Sequence, residues 1–382
     1  MLDSYSLKMP RAVYSGTDAL DRMGDIIGAV HRVAVMTDQG VASAGLLNRP
    51  LDQIRRLGME PVVLDNLASE PACGQVQDTV NAFRASGAGF IVAIGGGSVM
   101  DAAKLTSVLA GADYGVRELL DRPALARKTV GTLMIPTTAG TGAEATPNAI
   151  VAVPEKEMKV GIVHDSMIAD AVILDPQMIR NLPRPLAAAT GIDALCHAVE
   201  CFTSKKKTPF SDLYALQSFR MILENIEQAC DQPDAMEAKH NMLLASFYAG
   251  VAITSSGTTA IHALSYPLGG RYHIAHGISN AILLLPVMRF NEPVCRKLLA
   301  EAYDRMGLWG AVTEEEKSGW ILERMAGIVR HLDIPESLAP WHVGKEDLDV
   351  LVEAGMGVQR LLANNMRPVT PHDARKIYQE VL

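Results

Sequence analysis

A chain of 382 residues with 48% hydrophobic and 20% charged side chains is long for one core and apolar enough to fill two. Its formal charge of −8 comes without a long basic stretch, which argues against nucleic acid or an anionic membrane as the main partner. The longest purely apolar run, Ala281–Met288, falls far short of the roughly 20 residues that span a bilayer, so no membrane span is expected.

Met1 to Arg11 mixes Asp3, Lys8 and Pro10 with isolated apolar residues and lacks the apolar core of a signal peptide. Five scattered cysteines (Cys73, Cys196, Cys201, Cys230, Cys295) never fall in a C-x-x-C spacing. Neither a disulfide framework nor a thiolate zinc site is indicated, and a reducing cytoplasm is the expected location. Cys196 adjoins His197, but neighbours on a helix point about 100° apart, so a buried structural thiol is expected. The run Lys205–Lys207 precedes Thr208 and Pro209 and reads as a solvated loop.

In the first half, apolar and β-branched runs alternate with helix-like stretches: Val33–Thr37, Pro61–Leu64, Phe90–Ile94, Val130–Ile135, Ala149–Val153 and Ala171–Leu174. That rhythm predicts a parallel sheet wound with helices, with Ala44–Leu57 and Val76–Ala85 as crossovers. After Asp175-Pro176 the character changes to long stretches rich in Ala, Leu, Met and Glu, such as Ser211–Gln228, Ala238–Ala252 and Glu314–His331. Thr313 followed by Glu316 has the spacing of a capping box and marks one helix start. The expectation is an α/β domain over 1–183 and an all-α domain over 184–382, with a hinge at Asn181–Pro185.

The run Phe90–Ile94 leads directly into Gly95-Gly96-Gly97-Ser98, then Asp101 and Lys104 at helical spacing. Glycines let backbone approach a phosphate, and the N–H groups opening the next helix attract its charge, so a pyrophosphate is the natural ligand. A tight turn alone would look similar, and the G-x-G-x-x-G spacing is absent. A second loop, Pro136 to Glu144, follows the next core strand with Thr137, Thr138, Gly140, Thr141 and Gly142. In a parallel α/β fold ligands gather at the carboxyl ends of strands, and a surface turn would not account for both loops standing there. Asp38 ends Val33–Thr37. It could accept hydrogen bonds from ribose hydroxyls, favouring NAD over NADP, or it could cap a helix beginning near Gly40.

Asp193 and His197 stand at i and i+4, which puts an oxygen and a nitrogen on one helical face. Such a pair is more often a local hydrogen bond. His262, His273 and His276 then fall close together in otherwise apolar sequence, where buried imidazoles need a partner that prefers them neutral. An aspartate with three histidines suits Fe(II), Zn(II), Co(II) or Mn(II) and does not choose among them.

Four ordered segments, Gly95–Lys104, Ile135–Glu144, Thr190–Glu200 and His276–Pro286, carry a resemblance over nearly the whole length to the iron-containing (group III) alcohol dehydrogenases. The resemblance implies an α/β dinucleotide-binding domain, a helical metal-binding and catalytic domain of dehydroquinate synthase-like architecture, and a cleft between them. It implies Asp193, His197, His262 and His276 as ligands of Fe(II), with Zn(II) the alternative. It also implies NAD contacts by Asp38, Gly96, Gly97, Ser98, Asp101, Thr137, Thr138, Thr141, Asn148 and Lys159. The implied reaction is hydride transfer between nicotinamide and a small alcohol held as an alkoxide on the metal, run by a homodimer or larger homo-oligomer.

Three positions depart from the family pattern. Tyr266 stands where many relatives have a histidine linked to proton transfer, so Tyr266, His273 or water could serve that step. Glu70-Pro71 replaces a common Asn-Pro, and Ala143 a common Ser. Two rival readings accompany the dehydrogenase. A dehydroquinate synthase-like lyase would regenerate NAD within each cycle and need basic residues for a phosphate-bearing substrate, which the sequence around these histidines lacks. A non-catalytic metal- and nucleotide-binding protein would fit a decayed site.

Overall fold

In a computed structural model, which describes residues 4–68, 71–156 and 158–382, the chain divides into two compact units. One is Lys8–Leu182; the other is Pro183–Leu382 and takes in the N-terminal residues as far as Leu7.

Among the described residues the Lys8–Leu182 unit carries strands β1 (Ala12–Ser15), β2 (Arg32–Met36), β3 (Glu60–Leu64), β4 (Phe90–Gly95), β5 (Gly131–Pro136), β6 (Asn148–Val153), β7 (Met158–Val163) and β8 (Ala171–Leu174). Its helices are α1 (Met23–Ile27), α2 (Gln39–Ser43), α3 (Asn48–Arg56), α4 (Cys73–Ser86), α5 (Gly97–Leu109) and α6 (Val116–Asp121). Six strands form one parallel sheet in the order β1-β8-β5-β4-β2-β3. β4 is buried along its whole length, as near-continuous apolar sequence requires of a strand covered on both faces. On one face Val92 and Ile94 pack with Met23, Ile27 and Ile54. A second core joins Val76 and Val80 of α4 to Leu105 and Val108 of α5.

The chain runs from β2 outward to β3, then returns through α4 to place β4 on the other side of β2. The strand order therefore reverses between β2 and β4, the kind of position where open α/β sheets bind ligands. Asp38 follows β2 and the Gly95–Gly97 turn closes β4, so both stand at this reversal. Thr37 Oγ1 donates to the Ile94 carbonyl at 2.8 Å and pins the two strand ends together.

Two expectations need correction. Ala149–Val153 is a strand, but it pairs antiparallel with β7 in a separate two-stranded sheet. Its burial alternates residue by residue, the mark of a strand with one covered face, which the all-apolar sequence concealed. The Ala44–Leu57 crossover is also shorter than expected: Gly45 takes a left-handed φ of 72° and breaks the helical path, so α3 starts only at Asn48.

The Pro183–Leu382 unit holds α7 (Arg184–Phe202), α8 (Pro209–Asp231), α9 (Met236–Ser256), α10 (Ala260–Tyr272), α11 (His276–Arg305), α12 (Glu314–His331), α13 (Leu348–Gly357), α14 (Gln359–Leu362) and α15 (Pro371–Gln379). Thr313 caps α12 as expected: its hydroxyl accepts the Glu316 N–H at 3.2 Å, while Glu316 accepts the Thr313 N–H at 2.9 Å. From Ala188 to Phe202 nearly every side chain of α7 is buried, so its polar residues point into protein on all sides. α11 begins hard against α7, where a Cβ on Gly277 would stand 2.2 Å from the Ala189 carbonyl oxygen. Only glycine permits that approach, and it brings the first residue of α11 to the ionisable face of α7. Among the described residues no helix is long and apolar enough to cross a membrane.

Candidate metal centre and nucleotide loops

α7 presents Asp193 and His197 one turn apart, α10 contributes His262 in its first turn, and α11 opens with His276. Asp193 Oδ1 lies 3.9 Å from His197 Nε2, 3.7 Å from His262 Nε2 and 3.6 Å from His276 Nε2. The donor atoms of Asp193, His262 and His276 all fall within 4.8 Å of one another. His197 Nε2 stands 2.9 Å from His262 Nε2, with the rings stacked at a centroid separation of 4.5 Å. Asp193, His197 and His262 are buried and His276 is half-buried.

This arrangement is rich in lone pairs and poor in counter-charge. Two imidazole nitrogens facing each other at hydrogen-bonding distance need a proton or a cation to reconcile them. No lysine or arginine is paired with Asp193 among the described residues. Burial alone would raise the Asp193 pKa, but the three imidazoles hold it well below the ordinary carboxylate range. One carboxylate oxygen among imidazole nitrogens is a donor set that fits a divalent transition metal. Cys196 offers no thiolate to it, because burial, with Glu200 and Asp193 adding to it, raises that thiol well above its ordinary pKa.

Glu200, one turn beyond His197, is fully buried and was not singled out from sequence. Its Oε1 accepts the backbone N–H groups of Thr259 at 3.1 Å, Ile261 at 2.8 Å and His262 at 3.3 Å, together with the Thr259 hydroxyl at 2.8 Å. A carboxylate from α7 thus caps the start of α10, where free N–H groups and the helix dipole favour negative charge. Its Oε2 meets His262 Nδ1. That contact fixes the ring so that Nε2 faces the cluster, the usual way a protein orients a ligating histidine. Burial opposes charge on this imidazole, but Glu200 and Asp193 outweigh it and push the His262 pKa up to about 9. The signal was present in the sequence: Glu200 lies seven residues after Asp193 in a helix whose other residues are nearly all apolar.

The two residues expected near the substrate part company. The Tyr266 ring is half-buried with its centroid 6.1 Å from that of His276. His273 is exposed and forms the C-cap of α10 in a left-handed conformation with φ 55°.

In the α/β unit, α5 starts at Gly97 behind the Gly96 N-cap, which has no side chain to cap it. Gly96, Gly97 and Ser98 are half-buried there. The second loop packs directly on this turn: a Cβ on Gly97 would lie 2.9 Å from Thr141 Cγ2, and the Thr137 N–H donates to the Gly95 carbonyl at 3.0 Å. Thr137 is buried and Thr138 half-buried. Asp101 differs in kind. Its Oδ1 receives Lys104 Nζ at 3.0 Å and its Oδ2 accepts the Ile150 N–H at 2.9 Å, so it ties α5 to β6. Fully buried Lys104 reaches Thr146 Oγ1 at 3.1 Å and the Asn148 carbonyl at 2.6 Å as well. Asn148 opens β6, where Lys159 of β7 pairs with Ala152. Asp38 Oδ1 accepts the Val41 N–H at 2.9 Å and caps α2. Ala143 is buried, and Glu70 lies outside the described residues.

A parallel sheet with two loops at its ligand-binding edge, and a helical unit gathering an aspartate and three histidines, fit the class of nucleotide- and metal-dependent enzymes. The family description "Iron-containing alcohol dehydrogenase" matches residues 10–176, and that of its C-terminal part, "Fe-containing alcohol dehydrogenase family, C-terminal", matches residues 187–382. The chain is 33% identical to long-chain-alcohol dehydrogenase 1 of Geobacillus thermodenitrificans (strain NG80-2), over 97% of this chain and 95% of that one. A crystal structure of 1,3-propanediol oxidoreductase superposes with a TM-score of 0.94 at 26% identity, covering 99% of this chain and 100% of that one. Sulfoacetaldehyde reductase from Bifidobacterium kashiwanohense in complex with NAD+ superposes with a TM-score of 0.90 at 25% identity, covering 100% and 99%. The chain belongs to the iron-containing alcohol dehydrogenase family. Its class of activity is that of a metal-dependent, NAD-linked alcohol dehydrogenase acting on CH–OH groups.

Proposed function

We propose that this enzyme interconverts a small alcohol and its aldehyde or ketone with NAD, and that Asp193, His197, His262 and His276 hold the divalent ion, Fe(II) first and Zn(II) as the alternative. The observation that carries the reading is Asp193 Oδ1, within 3.9 Å of three imidazole nitrogens. When bound, the ion supplies a Lewis acid that polarises the substrate oxygen, and NAD accepts the hydride.

The chain's own residues do the rest. Asp193 supplies the negative charge that draws the cation, and Glu200 holds the His262 ring in register. The N–H groups opening α5 and the hydroxyls of Thr137, Thr138 and Thr141 receive the pyrophosphate, with Gly96, Gly97 and Ser98 keeping the approach open. Asp38, at the end of β2, favours NAD by repelling a 2′-phosphate while capping α2. Asp101 contributes by holding α5 against β6, and Asn148 and Lys159 flank the same hairpin. For proton transfer, Tyr266 is better supported than His273 because its ring neighbours His276. A homodimer or larger homo-oligomer in the cytoplasm completes the reading, supported by family habit and by five cysteines that form no disulfide.

The test is a panel of alcohols and carbonyl compounds followed by NADH absorbance, using metal-stripped protein reloaded separately with Fe(II) and Zn(II). Turnover that appears only on reloading, and that vanishes with metal content in His262→Ala while NAD binding persists, is the expected outcome. A His262→Ala variant with full activity and full metal content would end the assignment. NAD consumed and restored without net NADH would favour the lyase reading.

A further inference from the structure

Asn280 follows His276 by one helical turn on α11 and is completely buried. Its Nδ2 lies 2.7 Å from Asp193 Oδ1, 3.1 Å from His262 Nε2 and 3.2 Å from His276 Nε2. The amide therefore touches three of the four proposed ligands at the very atoms that would bind the ion. Its other end is unsupported: Asn280 Oδ1 is buried with no hydrogen-bond partner.

The orientation of a buried amide follows its hydrogen bonds. Here one choice gives the N–H a carboxylate to donate to, a charge-assisted bond, and leaves the carbonyl with nothing. The opposite choice would set the carbonyl oxygen against Asp193 Oδ1 and two imidazole nitrogens. Leaving a buried carbonyl unpaired costs free energy, so the bond to Asp193 outweighs that cost. Among the described residues no group besides the imidazoles and Asn280 donates to the Asp193 side chain. Asn280 is thus the neutral donor, beside the imidazoles, that checks rotation of the carboxylate.

We propose that Asn280 is a positioning residue of the metal centre, whose N–H holds Asp193 with Oδ1 toward the imidazoles and thereby sets how tightly a divalent cation is retained. The inference rests on the proposed ligand role of Asp193, His197, His262 and His276. A neutral donor is suited to the task, because it steadies the carboxylate without adding a charge that would compete with the cation. Removing it frees Asp193 to turn, while the unpaired carbonyl disappears with it.

Asn280→Leu has similar size and branching and lacks both polar groups. The probe is Co(II), titrated into metal-stripped full-length protein in competition with a chelator, with the visible absorption spectrum recorded at saturation. The expected result is affinity lower by about 10–100-fold, the range for losing a partner of a metal ligand. The saturated spectrum should change as Asp193 shifts, with any fall in metal-free stability smaller than the loss of binding free energy. Asn280→Ala, which keeps helix propensity, should weaken Co(II) similarly and serves if the leucine variant does not fold. Unchanged affinity and spectrum in the variants, beside a wild type that binds, would overturn the positioning role alone. So would weakened binding accompanied by an equally large fall in metal-free stability with the spectrum intact. A wild type that binds no Co(II) would overturn the metal reading and this inference with it.

Discussion

Each unit buries a network of ionisable side chains, and the two are balanced in opposite ways. In the α/β unit Lys104 answers Asp101 directly, and the remaining contacts of its ammonium go to a hydroxyl and a carbonyl. In the helical unit, among the described residues, Asp193 and Glu200 face imidazoles, backbone N–H groups, a hydroxyl and an amide. The first network closes on itself and holds backbone segments together. The second sets two carboxylates among imidazoles, with no lysine or arginine paired to them among the described residues, a balance that a cation would complete. Burial of charge thus serves framework in one unit and, on the proposed reading, cation binding in the other.

The largest effect that separates them is expected at Lys104. Lys104→Met keeps the length of the side chain but strands Asp101 in the interior, and breaking a buried pair costs about 3–5 kcal/mol. The lower end is expected, since Asp101, whose pKa burial already raises, can take up a proton. Urea unfolding should show the loss together with weakened NAD binding, because α5 is then held to β6 by Asp101 alone and no longer by the Lys104 ammonium. Bound metal per folded chain should stay at the wild-type value. A variant that sheds metal while keeping its NAD affinity would break the contrast.

Glu200→Gln tests the opposite side. The amide keeps an acceptor for the α10 N-terminus but loses the charge that fixes the His262 ring, so metal affinity should fall by about 10–100-fold. Isothermal titration with Zn(II) reads the effect, and NAD affinity measured on the same sample should not move by more than about twofold, well under the tenfold that 1.4 kcal/mol represents. Equal loss of both ligands would mean that Glu200 maintains the fold of α10 and nothing more.

How far the sequence discloses this contrast differs by element. The runs that became β2, β4, β5 and β8 were legible because a strand covered on both faces is an unbroken apolar word with glycine or polar residues at its ends. β1, with only Ala-Val-Tyr-Ser, and β7, with a lysine and a glycine among its six residues, were too short or too mixed to stand out. The proposed ligand residues were legible because histidine is rare in apolar sequence, and the structure brings Asp193, His197, His262 and His276 together from three helices. Glu200 and Asn280 escaped because glutamate and asparagine on a helix usually mark its wet face. Only the burial of α7 from Ala188 onward and of α11 from Ser279 to Leu284 makes them interior groups in need of partners. Asp101, expected to touch nucleotide, also accepts from Lys104 and from the Ile150 N–H, contacts that spacing alone does not reveal.

Glu144 blurs the balance of the first network and gives its finest test. It ends the threonine- and glycine-rich loop, is fully buried, and leaves Oε1 without a partner. Burial raises its pKa from an ordinary 4.5 to about 7, with its own backbone N–H and the charge of Lys104 only partly offsetting the rise. Below the unfolded value both states are protonated and the group is silent. As pH climbs from 4.5 toward 7 the unfolded chain releases the proton while the folded protein keeps it, so stability declines through that window; above 7 the full penalty persists. A shift of this size corresponds to at most about 3 kcal/mol, and Gln at this position would recover roughly 1 kcal/mol of it because its carbonyl oxygen remains unpaired. Melting curves of wild type and Glu144→Gln at pH 5, 6, 7 and 8 should therefore diverge as pH rises, the variant gaining. Parallel curves would mean that Glu144 is already ionised at pH 5, and that Lys104 balances two carboxylates rather than one.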